Sequence, residues 1–128
     1  ILSRADYEDI SHQTMGAFAQ NLNRSGSGYT LMLQGVEYFY GPSYEVLIFG
    51  DPKSTETIKM IAEVRNIPQP NKVVVFAGKD GGDLQSLIPF VGMYPSSKDG
   101  SPLVYVCQNY SCNLPTNDIE KVRSQLGN

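Results

Sequence analysis

Histidine and cysteine are scarce: one histidine, His12, and two cysteines, Cys107 and Cys112, in 128 residues. A closed zinc site wants four ligands of those kinds, so no metal site is expected. Two cysteines also cannot frame a disulfide-dense secreted scaffold. The core must come from apolar packing, which fits a cytoplasmic protein. An excess of positive charge is missing too. Ten Lys plus Arg stand against thirteen Asp plus Glu, a formal net charge of -3, so nothing draws the chain toward a polyanion and nucleic acid is not an expected partner. Long apolar runs are absent as well. Segments such as Val46 to Phe49 fall far below the roughly 20 residues that a membrane-spanning helix needs, so no membrane partner is expected.

What is present reads as one compact body, since a chain of this length buries roughly two-thirds of its unfolded surface. It begins at Ile1 without an initiator methionine, which predicts processing or a boundary upstream and makes this the C-terminal end of something larger. From Ser3 to Leu22, Ile10, Thr14, Ala17, Phe18 and Leu22 recur at helix-face spacing, and Ser3 with Asp6 supplies a capping start. Residues 23–28, with Gly26 and Gly28, turn the chain. Tyr29, Met32, Leu33, Val36, Phe39 and Tyr40 then restart the helical period until Gly41-Pro42 ends it. Residues 1–41 are thus a helical hairpin with an apolar stripe on each helix. Those stripes cover each other only in part, so a further partner is expected.

From residue 42 onward the pattern is α/β. Tyr44 to Phe49, Lys72 to Ala77 and Leu103 to Cys107 are near-continuous apolar runs of strand length, as in strands buried on both faces. Helical patterns follow each: Ile58, Ile61, Ala62 and Arg65 behind a Ser54 cap, then Leu84, Leu87 and Ile88 behind Asp83. The last carries Ile119, Val122 and Leu126, with Asn117 and Glu120 at capping-box spacing. Three strand-helix steps in order predict residues 42–128 as a three-stranded parallel β-α-β-α-β-α unit.

No residue set has the makings of a catalytic site. His12 has no nucleophile-elbow serine and no H-E-x-x-H partner, so it reads as a surface or packing residue. Gly78-Lys79-Asp80-Gly81-Gly82-Asp83 lies where a phosphate loop would lie but lacks the G-x-x-x-x-G-K-[ST] order, and its two aspartates oppose an anion. It reads as a turn, and no cofactor is expected. Tyr38, Tyr40 and Tyr44 suit packing or the rim of a sugar site. Cys107 and Cys112 read first as buried free thiols, then as a structural disulfide, then as a redox or metal pair. In a parallel sheet, ligands sit at the carboxyl ends of the strands. That makes Asp51, Lys79, Asp80 and Asn109 the candidate ligand-binding residues.

Pro70-Asn71-Lys72-Val73, and above all the stretch from Tyr105-Val106-Cys107-Gln108-Asn109 through Tyr110-Ser111-Cys112-Asn113-Leu114-Pro115-Thr116, resemble the C-terminal region of the DUF255 thioredoxin-domain-containing family. The resemblance covers the α/β unit, and the hairpin is similar to the last helices of that family's central region. It implies an upstream thioredoxin-like domain with its own C-x-x-C and a helical toroid similar to six-hairpin glycosidases. Those would be this chain's partners, and both seats of chemistry would lie before Ile1. Only the Cys107 and Cys112 pattern carries over. The expected function is a non-catalytic C-terminal structural or interaction module. The alternative is a small-ligand or thiol-redox module using the strand-end loops and the cysteine pair.

Overall fold

In the computed structural model, residues 4–95, 97, 99–109 and 111–127 are described. They fall into two compact units, divided along the chain between Pro42 and Ser43.

The first unit is helical. Helix α1 runs Ala5–Ser25, a 3-10 turn covers Gly26–Tyr29, and helix α2 runs Thr30–Tyr40. Asp6 and Glu8 in the first turn of α1 and Arg24 in its last complement the helix dipole. Arg4 stands at the N-cap and pairs with Asp6 at 2.5 Å. Ser3 of the expected capping start lies outside the described residues. The two helices run back along each other. The His12 ring stands edge-on to Phe39 at 4.5 Å, with the Tyr40 hydroxyl 3.3 Å from its Nδ1. At the other end of the hairpin, Asn21 Nδ2 donates to the Tyr29 hydroxyl at 3.0 Å. His12 is therefore a packing residue. Neither helix buries a single described residue.

The second unit holds a sheet between two apolar layers. Strand β1, Tyr44–Phe49, is its centre, and Val46 to Phe49 are all fully buried. Successive side chains leave a strand on opposite faces. Val46 and Ile48 therefore join Met60, Val64, Val104, Val106, Val122 and Leu126 on one side. Leu47 and Phe49 join Ala77, Ile88, Val91, Tyr105 and Cys107 on the other. Two apolar layers explain why the run does not alternate.

Helix α3, Thr55–Asn66, leads to strand β2, Lys72–Gly78, which pairs parallel with β1 from Tyr44↔Lys72 to Phe49↔Gly78. A short helix α4, Leu84–Leu87, and a 3-10 turn, Pro89–Met93, follow. Strand β3, Leu103–Gln108, then pairs with the free edge of β1, but antiparallel, from Phe49↔Leu103 to Glu45↔Cys107. Strand β4, Ser111–Cys112, adds a hairpin, and helix α5, Ile119–Gln125, closes the chain. The strand order is β2-β1-β3-β4.

The α/β class expected from the sequence stands, whereas the three-stranded parallel sheet does not. The sheet is mixed and has four strands. A parallel return must carry the chain back along the full strand length. Helix α3, with 12 residues, spans about 18 Å and does so, but α4, with four residues, spans only about 6 Å. The chain re-enters the sheet beside Phe49, the partner of both Gly78 and Leu103, so β3 runs antiparallel to β1.

The caps also differ from expectation. Asp118, not Asn117, caps α5, its Oδ1 accepting from Glu120 N–H at 2.9 Å. Asp83 makes no side-chain cap on α4, and Ser54 makes none on α3. Replacing Asp118 with alanine is expected to destabilise the unit by about 1 kcal/mol, with Asn117→Ala near zero. Urea midpoints followed by exchange of the α5 amides check this.

Candidate functional site

The residues singled out as ligand-binding fall at two places. Asp51 follows β1 and Lys79 follows β2. Because these strands are parallel and adjacent, their side chains meet at one sheet end, Lys79 Nζ lying 3.0 Å from Asp51 Oδ2. Asp51 Oδ1 also accepts from the Lys53 backbone N–H at 2.9 Å. That bond first, and the Lys79 bond second, hold the Asp51 carboxyl below the usual carboxylate range. Asp80 turns inward on its own loop, its Oδ1 accepting from Gly82 N–H at 3.2 Å while its carbonyl accepts from Gln85 Nε2 at 2.8 Å. Gly78 and Gly81 carry φ of 69° and 87°, the left-handed region open to glycine without penalty. These loops spend their polar groups on themselves.

Asn109 does not join them. The antiparallel course of β3 puts it at the opposite end of the sheet, beyond the Glu45↔Cys107 pair, about 17 Å away along a six-residue strand. The expected convergence of three strand-end loops therefore does not form. Asn109 opens the β3–β4 hairpin instead, with φ 51°. Asparagine tolerates that conformation better than other non-glycine residues.

A testable consequence concerns Asp51. Its carboxyl is expected to titrate below the ordinary aspartate midpoint in NMR pH titrations. Lys79→Met should raise that midpoint only in part, because the larger contribution, from Lys53 N–H, remains. Any stability this pairing confers is fully present above the unfolded aspartate pKa, and it is lost as pH falls through the lower folded value.

The cysteines are bonded to each other, which replaces the free-thiol reading. Cys107 and Cys112 are register partners of β3 and β4, with Cα atoms 3.9 Å apart. Cys107 is buried at 2% exposure and Cys112 is half-buried. The Tyr94 hydroxyl lies 2.9 Å from Cys112 Sγ. The Tyr94 ring packs 4.8 Å from Tyr105, whose hydroxyl donates to the Pro95 carbonyl at 2.8 Å. Burial first, and Tyr94 second, push the Tyr105 phenol above its ordinary range. Nothing in the sequence marked Tyr94, since eighteen residues separate it from Cys112 in a stretch that reads as loop.

Sequence reasoning also missed a cleft of about 250 Å³ lined by Glu56, Lys59 and Glu63 of α3 with Ser101 and Asn117. It is smaller than the roughly 300–1,000 Å³ of small-molecule sites, and Lys59 already pairs with Glu63 at 3.7 Å. Among the described residues no three His, Cys, Asp or Glu side chains gather to hold a metal, and no helix is long and apolar enough to cross a membrane.

A thioredoxin-type dithiol sits at the N-terminus of a helix in a β-α-β unit, where the dipole favours the thiolate. β1–α3–β2 is such a unit, and Gly50-Asp51-Pro52-Lys53-Ser54, without a cysteine, leads into α3.

The chain is similar to spermatogenesis-associated protein 20. The proteins of that name from Rattus norvegicus, Mus musculus and Homo sapiens are each 25% identical to it over 122 residues, which is 94% of this chain and 15% of the relative. The chain thus spans under a sixth of those relatives, and the matched stretch lies in their C-terminal part. No family model matches the chain, and no solved structure does.

Proposed function

We propose that this chain is the C-terminal structural and interaction module of a larger thioredoxin-domain protein, docking through α1 and α2 onto a helical body that precedes it. One observation carries the reading. Neither helix has a fully buried residue, and Leu31 at 80% and Ile10 at 58% are exposed, while residues 43–128 enclose a two-sided core of their own. Helices with bare stripes call for a cover. The much greater length of the relatives supplies room for one, and the family resemblance suggests a helical toroid. The cysteine-free entry to α3 supports a module without thioredoxin catalysis, since the dipole-activated position holds no thiol.

The test adds this chain to the separately produced upstream region. Saturable association is expected. Ile10→Asp combined with Leu31→Asp should weaken it by at least about thirtyfold, the effect of losing interface anchors worth about 2 kcal/mol or more. Both side chains are exposed in the chain itself, so its own fold should be unaffected. Absence of association, with no change in the longer protein's stability on deleting these 128 residues, would overturn the reading.

A further inference from the structure

The Cys107–Cys112 bond closes a short loop, and as a staple it contributes little more than the minimum. A cross-link stabilises largely by closing a loop in the unfolded chain, and the gain shrinks with loop length. Here the sequence separation is five, and the bonded residues are already paired by a hairpin. For a loop this short the bond contributes about 2 kcal/mol, the low end of the usual range. Its surroundings are asymmetric instead. Cys107 lies in the apolar layer with Leu47, Phe49 and Tyr105, whereas Cys112 sits half-buried on a two-residue strand at the sheet edge. The sulfur of a disulfide has no proton, so the Tyr94 hydroxyl is the donor in its 2.9 Å contact with Cys112 Sγ. Thiol exchange needs a reachable sulfur, a second thiol beside it, and a group that favours the thiolate. Cys112 is the more exposed of the pair, Cys107 is the second sulfur beside it, and Tyr94 is the group that can favour the thiolate.

We propose that Cys107 and Cys112 form a reversible thiol–disulfide exchange site. Cys112 is the exchanging sulfur, Cys107 the resolving one, and Tyr94 a positioning residue that donates to Cys112. The partner class is a protein dithiol or disulfide, and the assignment is independent of the docking reading.

In the oxidising direction the Cys112 thiolate attacks a partner disulfide. The partner's S–S bond breaks, and one of its sulfurs leaves as a thiolate that takes up a proton. Cys107 then loses its proton to water and attacks Cys112 Sγ in the mixed disulfide. The intrachain bond forms and the partner's second sulfur departs, also to be protonated. Two electrons pass from the cysteine pair to the partner. A dithiol partner drives the same steps backward.

The test equilibrates the folded chain with reduced and oxidised dithiothreitol without denaturant, quenches by alkylation and reads the mass. Full, reversible reduction with native hydrogen exchange in β1 is expected. In the reduced chain Cys112 should be alkylated at least about tenfold faster than Cys107, since thiol reactivity follows exposure and thiolate character. Tyr94→Phe removes a hydrogen bond to a charged sulfur, so the pH profile of Cys112 alkylation should move up by about one unit and the rate at neutral pH should fall about tenfold. Three results would each overturn the proposal: reduction only in denaturant, equal labelling of the two thiols, or an unmoved profile in Tyr94→Phe. Should that variant fail to fold, the labelling order in the unaltered chain decides.

Discussion

Replacing Phe49 with alanine is expected to destabilise residues 43–128 by about 3–5 kcal/mol. Its side chain is fully buried, and its ring stands 5.8 Å from Tyr105 in an edge-on arrangement, a geometry worth about 0.5–1.5 kcal/mol beyond the area it buries. A unit of this size holds roughly 4–13 kcal/mol in all, so the variant should lose about a quarter of its stability at the least. Exchange of β1 and β3 amides is the suitable readout, because α1 and α2 would mask the change in circular dichroism. Phe49→Leu, which keeps most of the volume, should cost less than about 1.5 kcal/mol. A loss below about 1 kcal/mol for the alanine variant would mean that the face bearing Tyr105 and Cys107 is not a packed layer.

The second large effect concerns Gly50. A Cβ there would lie 2.6 Å from Thr57 Oγ1 and 3.0 Å from Thr57 Cγ2, with the Pro102 Cα at 3.4 Å. Thr57 is fully buried and its hydroxyl has no hydrogen-bond partner. Gly50→Ala is therefore expected to cost about 1–3 kcal/mol by overpacking. Thr57→Ala alone should be close to neutral, since the atoms it removes include an unpartnered buried hydroxyl that costs about 1–3 kcal/mol to keep. In the double variant the clash disappears, and most of the Gly50→Ala loss should return. A double variant as unstable as the sum of the singles would refute the contact.

These two neighbouring positions differ in how far the sequence announces them. Phe49 stands in an unbroken apolar run, and the run itself calls for burial on both faces. Gly50 reads only as turn punctuation. Its requirement for glycine comes from the approach of a side chain seven residues on in α3, which periodicity cannot reveal. Asp118 is intermediate: a capping signal was legible at the start of α5, but Asn117 and Asp118 offer the same chemistry, and the backbone chose the second.

The candidate site was less legible. Asp51 and Lys79 meet because they follow parallel neighbouring strands, and a β-α-β reading of 44–78 is enough to bring them together. Asn109 was placed with them on the same reasoning extended to β3, and there the reasoning failed. Tyr94 was invisible, since its contact with Cys112 depends on how an irregular segment folds over the sheet.

The sequence by itself determined that residues 4–40 are largely two helices and that three apolar runs are strands, of which the first and third are buried on both sides while the second, at the sheet edge, is only half-buried. Those conclusions rest on local periodicity and on residue supply, which need no knowledge of what lies far along the chain. Only the tertiary structure decided the direction of β3, the end of the sheet that holds Asn109, and the bond between Cys107 and Cys112 beneath the Tyr94 hydroxyl. The physical reason is the irregular connection between β2 and β3. Its α-helix is one turn long and the rest is irregular, so no periodicity marks where the chain rejoins the sheet, and the direction of β3 is set by its pairing with β1.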